Sequence, residues 1–139
     1  MALTLNNFFG KVFILIFLFA GAPAINSRGF SQVKGPAFQL EDKEKNLGFV
    51  MEVEIVEIEY VFENTGYQPI IIQEIKVTCG CTAGEYPKEP VLPGKKGVIK
   101  ISFDTKGKLD RQDRTVGVIS NVPGPPEELR FKGVVLKKK

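Results

Sequence analysis

The stretch EIVEIEYVFE, residues 54–63, alternates with a period of two. Val56, Ile58, Tyr60 and Phe62 fall on one side and Glu57, Glu59 and Glu63 on the other, with Ile55 and Val61 as exceptions. Successive side chains of an extended chain point to opposite faces, so this is a strand with one wet face. Similar patterns recur on both sides of it. Downstream, Asn64-Thr65-Gly66 supplies a turn whose glycine can take positive φ, and Ile70 to Val77 is β-branched for most of its length. Gly97 to Asp104 turns Ile99, Ile101 and Phe103 to one side and is closed by Thr105-Lys106-Gly107. Thr115 to Asn121 is a further strand, broken by Val122-Pro123-Gly124-Pro125-Pro126, and Leu129, Phe131, Gly133 and Val135 share a face of the last one. Upstream, Ala37 to Glu41 and Leu47 to Val50 bring the total to about seven short strands with no helical stretch, which predicts an all-β antiparallel sandwich over residues 37–136. A small barrel is the alternative architecture.

Residues 1–24 read as an export signal: Lys11, an apolar run from Val12 to Phe19, then small residues ending in Ala22-Pro23-Ala24. Cleavage is expected after Ala24, since a cut after Ala22 would leave Pro23 immediately downstream. The alternative is an uncleaved anchor, because with Phe8 and Phe9 the apolar stretch approaches the roughly 17 to 20 residues that span a bilayer. No cysteine lies near the end of this segment, so the lipid-accepting thiol of a bacterial lipoprotein is missing. The sequence therefore predicts an unlipidated periplasmic or extracellular protein with no stable membrane span after cleavage. Residues 25–36 mix Ser, Gly and Pro without a period and read as a flexible leader. Lys137-Lys138-Lys139 form a basic tail, most simply a solvated end, with attraction to an anionic polymer or lipid surface as the lesser reading.

Removing Lys11 with the signal lowers the formal net charge from +3 to +2, and lysines alternate with glutamates outside the tail. A nucleic-acid binder carries a clustered basic face, so that class is set aside. The chain contains 11 Phe but no Trp and no His. Without histidine there is no Ser-His or Cys-His nucleophile and no imidazole metal ligand, and the commonest acid-base group near neutral pH is missing. No enzymatic activity and no cofactor are expected. Paired carboxylates are a remote hydrolytic option, since Asp104, Asp110 and Asp113, and Glu85 and Glu89, are the clusters any alternating charged surface yields.

Both cysteines lie in VTCGC, residues 77–81. Continuing the parity of the preceding strand places Ile75, Val77, Cys79 and Cys81 on the inward side, where a free thiol packs as a small hydrophobe. In an extended strand, Cα atoms two residues apart are about 6.6 Å from each other with parallel side chains, which disfavours a bond between the sulfurs. A kink at Gly80 would shorten that separation and an oxidising compartment would favour the bridge, although so small a ring adds little stability. Three readings follow: structural thiols first, then a redox-active or bridging pair, and last a soft-metal site, for which Cys79 and Cys81 offer only two ligands.

The blocks Leu47-Gly48, Phe62-Glu63-Asn64-Thr65-Gly66, Thr78-Cys79-Gly80-Cys81-Thr82, Tyr86-Pro87-Lys88-Glu89-Pro90, Pro93-Gly94, Phe103-Asp104-Thr105-Lys106-Gly107-Lys108 and Ser120-Asn121 cover about residues 38–135. In these the sequence resembles a bacterial family of exported proteins, domain of unknown function 1573. The resemblance implies an immunoglobulin-like sandwich similar to hydin-type and major-sperm-protein-type domains, and no established enzymatic activity. The chain departs from the family at Val53, where relatives usually carry a glycine turn, and in the proline density before the last strand, which implies a longer and stiffer loop.

The function expected is a non-catalytic binding or assembly module of the cell envelope, its partner an envelope protein or cell-surface polymer. Sandwiches of this kind bind by edge-strand addition or through loops at one end. Loops 85–94 and 122–126 are candidates, because Tyr86, Pro87, Pro90, Pro93, Pro123, Pro125 and Pro126 stiffen them and leave little entropy to lose on docking. Prolines that merely terminate strands are the plainer reading of either loop. The alternative function is thiol redox or copper handling by Cys79 and Cys81, although an apolar strand raises a thiol's pKa where catalysis would need it lowered.

Overall fold

In a computed structural model the described residues are 35–139, and they form eight strands in two four-stranded sheets. Strands β1 (Phe38–Leu40), β3 (Ile55–Asn64), β6 (Lys96–Asp104) and β5 (Thr82–Glu85) make the first sheet in the order β1-β3-β6-β5. The second sheet has the order β2-β8-β7-β4, from β2 (Glu44–Met51), β8 (Glu127–Leu136), β7 (Asp110–Ser120) and β4 (Ile72–Lys76). The expected signal and residues 25–34 of the leader lie outside the described residues. Gly35 and Pro36, assigned to the leader by composition, are packed: the Gly35 carbonyl accepts the Tyr67 N–H at 2.9 Å and Pro36 is buried.

The alternation in residues 54–63 becomes β3, and Ile58, Tyr60 and Phe62 are buried as expected. On the first sheet they join Ile99, Ile101 and Phe103. These face Val116, Val118, Leu129, Phe131 and Val135 of the second sheet, forming one hydrophobic core. Aromatic contacts lie within it: the Phe103 and Phe131 rings are 5.2 Å apart and those of Phe38 and Phe62 are 4.8 Å apart. The Tyr60 hydroxyl crosses between the sheets to donate to the Arg130 carbonyl at 2.7 Å. Burial raises the Tyr60 phenol well above its ordinary pKa, with the Glu44 carboxylate adding to the effect.

Two features depart from simple antiparallel pairing. The chain's first extended region divides between the sheets: β1 is antiparallel to β3, whereas β2 runs parallel to β8 after a break at residues 41–43. The second is the connection between β4 and β5. The sequence reading ran one inward-facing strand through the cysteines; the structure ends β4 at Lys76, leaves Val77 37% exposed, and starts β5 in the opposite sheet at Thr82. The cysteine segment is the point where the chain changes sheets, so the inward parity does not reach it.

Candidate functional site

Gly80 sits in the turn between β4 and β5, and the Cα atoms of Cys79 and Cys81 are 5.3 Å apart, closer than an extended strand allows. The two sulfurs form a disulfide. This replaces the expected pair of buried thiols with a bridged, half-buried turn. Cys81 packs on the edge of the core, and its carbonyl accepts the Asp104 N–H at 2.8 Å, the first link of the segment to the first sheet. Thr82, buried beside the bridge, places its hydroxyl 3.6 Å from the Cys79 sulfur. A bridged pair carries no thiolate for metal binding or nucleophilic attack. Among the described residues, no three His, Cys, Asp or Glu side chains converge as a metal site would require.

The loop after β5 divides into packed and free parts. Tyr86 is half-buried against the core, donates its hydroxyl to the Gln73 carbonyl of β4 at 2.7 Å, and carries the Lys88 ammonium 3.6 Å above its ring. Pro87 is half-buried, whereas Pro90 and Pro93 are exposed. Val91 returns to the core and exchanges two backbone hydrogen bonds with Ile70. Beneath this loop lies Asn64, fully buried, which the sequence offered only as a turn residue. Its amide donates to the carbonyls of Gln68 and Val91, both at 2.8 Å, while its Oδ1 accepts the Gly66 N–H at 3.0 Å. One side chain thus fixes the turn after β3 and the loop after β5, and this stretch acts as a brace.

Pro123, Pro125 and Pro126 are all exposed and together rim an open groove of about 680 Å³ on the outer face of the second sheet. Its other walls include Lys43, Glu44, Asp113, Thr115, Glu128 and Arg130. The register explains the gathering. Glu44 pairs with Arg130 across β2 and β8, and Asp113 lies opposite Lys132 across β7 and β8, so cations on the central strand alternate with carboxylates on both neighbours.

Arg130 holds both Asp113 oxygens, Nε to Oδ1 at 2.7 Å and Nη2 to Oδ2 at 2.5 Å, and its other nitrogen reaches Glu44 at 3.7 Å. Lys132 closes on Glu44 from the next register position, and Lys43 pairs with Glu127 at 2.8 Å. The Lys132 hydrogen bond lowers the Glu44 pKa and the Arg130 hydrogen bond lowers that of Asp113; the Arg130 pKa is raised by the same contact with Asp113. Exposed pairs of this kind add little stability. Their effect here is to hold charged groups in fixed positions along the groove floor. The sequence reading found the proline rim but not this floor, because the groups come from three strands far apart in the chain.

The comparisons with known proteins agree with this architecture. The model of a family described as "Protein of unknown function (DUF1573)" matches residues 38–135, from the first residue of β1 to the next-to-last of β8. No curated protein matches the chain. Among solved structures, a protein of unknown function from Porphyromonas gingivalis W83 is similar over 78% of this chain and 51% of its own, with a TM-score of 0.65 and 14% identity. The ASH/PapD-like domain 7 of human CEP192 matches 78% of this chain and 89% of its own, at a TM-score of 0.56 and 10% identity. The secreted serine protease VesC from Vibrio cholerae matches over 76% of this chain but 24% of its own, at 0.54 and 13%. This chain therefore spans about half of the Porphyromonas protein and a quarter of the protease. At such identities the likeness concerns the fold, an immunoglobulin-like sandwich, as the sequence motifs implied.

Proposed function

We propose that this chain, which belongs to the family of proteins of unknown function DUF1573, is a non-catalytic binding or assembly module of the bacterial cell envelope. The observation that carries the reading is the groove on the second sheet. A concave surface with a proline-stiffened rim and a floor of ion-paired side chains is ordered before any ligand arrives, so docking costs little further entropy. Arg130, Asp113, Glu44 and Thr115 present donors and acceptors in alternation, a pattern suited to an extended polar chain: a segment of an envelope protein or a cell-surface polymer. Export through residues 1–24 is part of the proposal. A thiol redox or copper-handling role is not favoured, because the side-chain partner the two sulfurs share is the neutral Thr82 hydroxyl rather than a cation that would stabilise a thiolate.

The test is site-specific photocrosslinking in intact cells. A benzophenone side chain at Thr115 on the floor or Pro125 on the rim should give a discrete adduct. The same probe at Lys100, on the outer face of the other sheet, should give none. Equal adducts from all three positions, or none from the two groove positions, would remove the groove as the binding surface.

A further inference from the structure

One end of the sandwich gathers apolar side chains that the core does not use. The connection from β2 to β3 brings Met51, Val53 and Ile55 there, with 36%, 59% and 70% of their surface exposed. Leu109, from the turn between β6 and β7, and Leu136, the last residue of β8, are each 42% exposed. The register puts these positions at one edge: Ile55 pairs with Asp104, Met51 with Leu136, and Asp110 with Val135. The groove's proline rim lies at the other end of β7 and β8.

The turn that carries this apolar tip is held rigidly and under strain. Val53 has φ of 67°, a left-handed conformation that is unfavourable for a β-branched side chain and that glycine would adopt freely. It is fixed from both sides. The Glu52 N–H donates to the Leu136 carbonyl at 2.8 Å, and the fully buried Thr105 hydroxyl accepts the Glu54 N–H at 2.8 Å and lies 2.9 Å from the Met51 carbonyl. Backbone strain persists where surrounding structure over-determines it, and here its product is an isopropyl group facing solvent.

Cations surround the tip. Lys106 and Lys108 lie in the turn between β6 and β7, and Lys137, Lys138 and Lys139 follow Leu136 directly. Among the described residues none of these five ammonium groups is in an ion pair, and neither are the nearby carboxylates of Glu52, Glu54, Asp104 and Asp110. We propose that this end of the domain docks on an anionic lipid bilayer, with Val53, Ile55 and Leu109 entering the headgroup layer while the lysines meet lipid phosphates. Exposed apolar residues flanked by Lys are the composition of a surface that lies on a membrane. Five aliphatic side chains, 36% to 70% exposed, make up this patch, against the roughly 20 to 30 residues a side of a stable protein interface. The five lysines outnumber the four carboxylates, so the tip keeps a positive excess that an anionic bilayer neutralises.

The chain has no Trp, so one introduced indole reports from a single place. This matters because the apolar run Val12 to Phe19 carries no indole, so any entry of that segment into vesicles gives no emission of its own. Full-length protein carrying Ile55→Trp, its fold checked by a cooperative melt, is mixed with equimolar phosphatidylglycerol–phosphatidylcholine vesicles. Its emission should move to shorter wavelength and be quenched about two-fold by acyl chains brominated near the headgroup. Lys106→Gln with Lys108→Gln should raise the lipid concentration needed for half the response about thirtyfold. Tyr67→Trp, at the other end of the sandwich and 63% exposed, should show neither effect. Unchanged Ile55→Trp emission at lipid excess would overturn the proposal. So would an equal shift for Tyr67→Trp, or a shift without lipid that grows with protein concentration, which would mark self-association.

Discussion

Replacing Thr105 by valine keeps the shape of a fully buried side chain and deletes only its hydroxyl. That oxygen accepts the Glu54 N–H at 2.8 Å and lies within hydrogen-bonding distance of the Met51 and Glu54 carbonyls, at 2.9 and 2.8 Å. The Glu54 carbonyl keeps a second partner, because the Thr105 N–H also donates to it at 3.0 Å. Two groups are therefore stranded: one backbone donor and one backbone acceptor. An unsatisfied buried polar group costs about 1 to 3 kcal/mol, and both of these are only partly buried, so the expected loss is about 2 to 3 kcal/mol. For a domain near 100 residues this lowers the melting temperature by roughly 10 to 20 °C. Urea denaturation followed by circular dichroism should show a lower midpoint with an unchanged slope, since the surface exposed on unfolding is the same. Thr105→Ser, which keeps the oxygen and loses a methyl group, should cost only about 1 kcal/mol. If valine proves as stable as threonine, or if serine is the worse of the two, the account of how the turn between β2 and β3 is held is wrong.

The brace at Asn64 predicts that Asn64→Asp destabilises by at least about 3 kcal/mol in chemical denaturation at neutral pH, because a carboxylate would face the Gln68 and Val91 carbonyls; the loss should shrink as the pH falls and the new acid protonates. Gly97→Ala would place a methyl group 2.4 Å from the Phe62 ring, and calorimetry should register an overpacking cost of about 1 to 3 kcal/mol. Reducing the Cys79–Cys81 bridge opens a ring of very few residues, so melts with and without a phosphine reductant should differ by no more than about 1.5 kcal/mol. Glu44 and Asp113 have folded-state pKa values below their ordinary ones, so the stability they contribute is present above those ordinary values and is lost as pH falls through the depressed ones. The melting temperature should therefore drop below roughly pH 4, by less in high salt and by less in a Glu44→Gln, Asp113→Asn variant.

Period-two alternation was legible wherever a strand has one apolar and one wet face. Val56 to Phe62, Ile99 to Phe103 and Leu129 to Val135 were each assigned the inward side that the structure gives them. Strand β7 begins at Asp110, five residues before the expected Thr115, because Asp110 to Arg114 is wholly polar and hydropathy cannot mark it. Its pairing with β8 rests on backbone hydrogen bonds, and its inward Gln112 is buried with its side-chain amide donating a hydrogen bond to the Leu109 carbonyl. Strand β5, Thr82 to Glu85, was hidden for a different reason. It is short and small, and Gly84 is kept bare by Ile75, whose side chain would stand 2.5 Å from an added methyl group. The cysteine register failed because parity assumes that a strand stays in one sheet. At the candidate site the prolines were readable as stiff loops, whereas the floor formed by Glu44, Asp113 and Arg130 comes from strands whose adjacency only the topology reveals.

The parallel pairing of β2 with β8 decides how the domain would bear a load. Because β2 and β8 run in the same direction, opposite pulls on the start of β2 at Glu44 and the end of β8 at Leu136 would drag these strands past one another lengthwise. The rungs from Glu44–Arg130 to Met51–Leu136 would then have to give way together, whereas an antiparallel terminal pair could unzip one rung at a time.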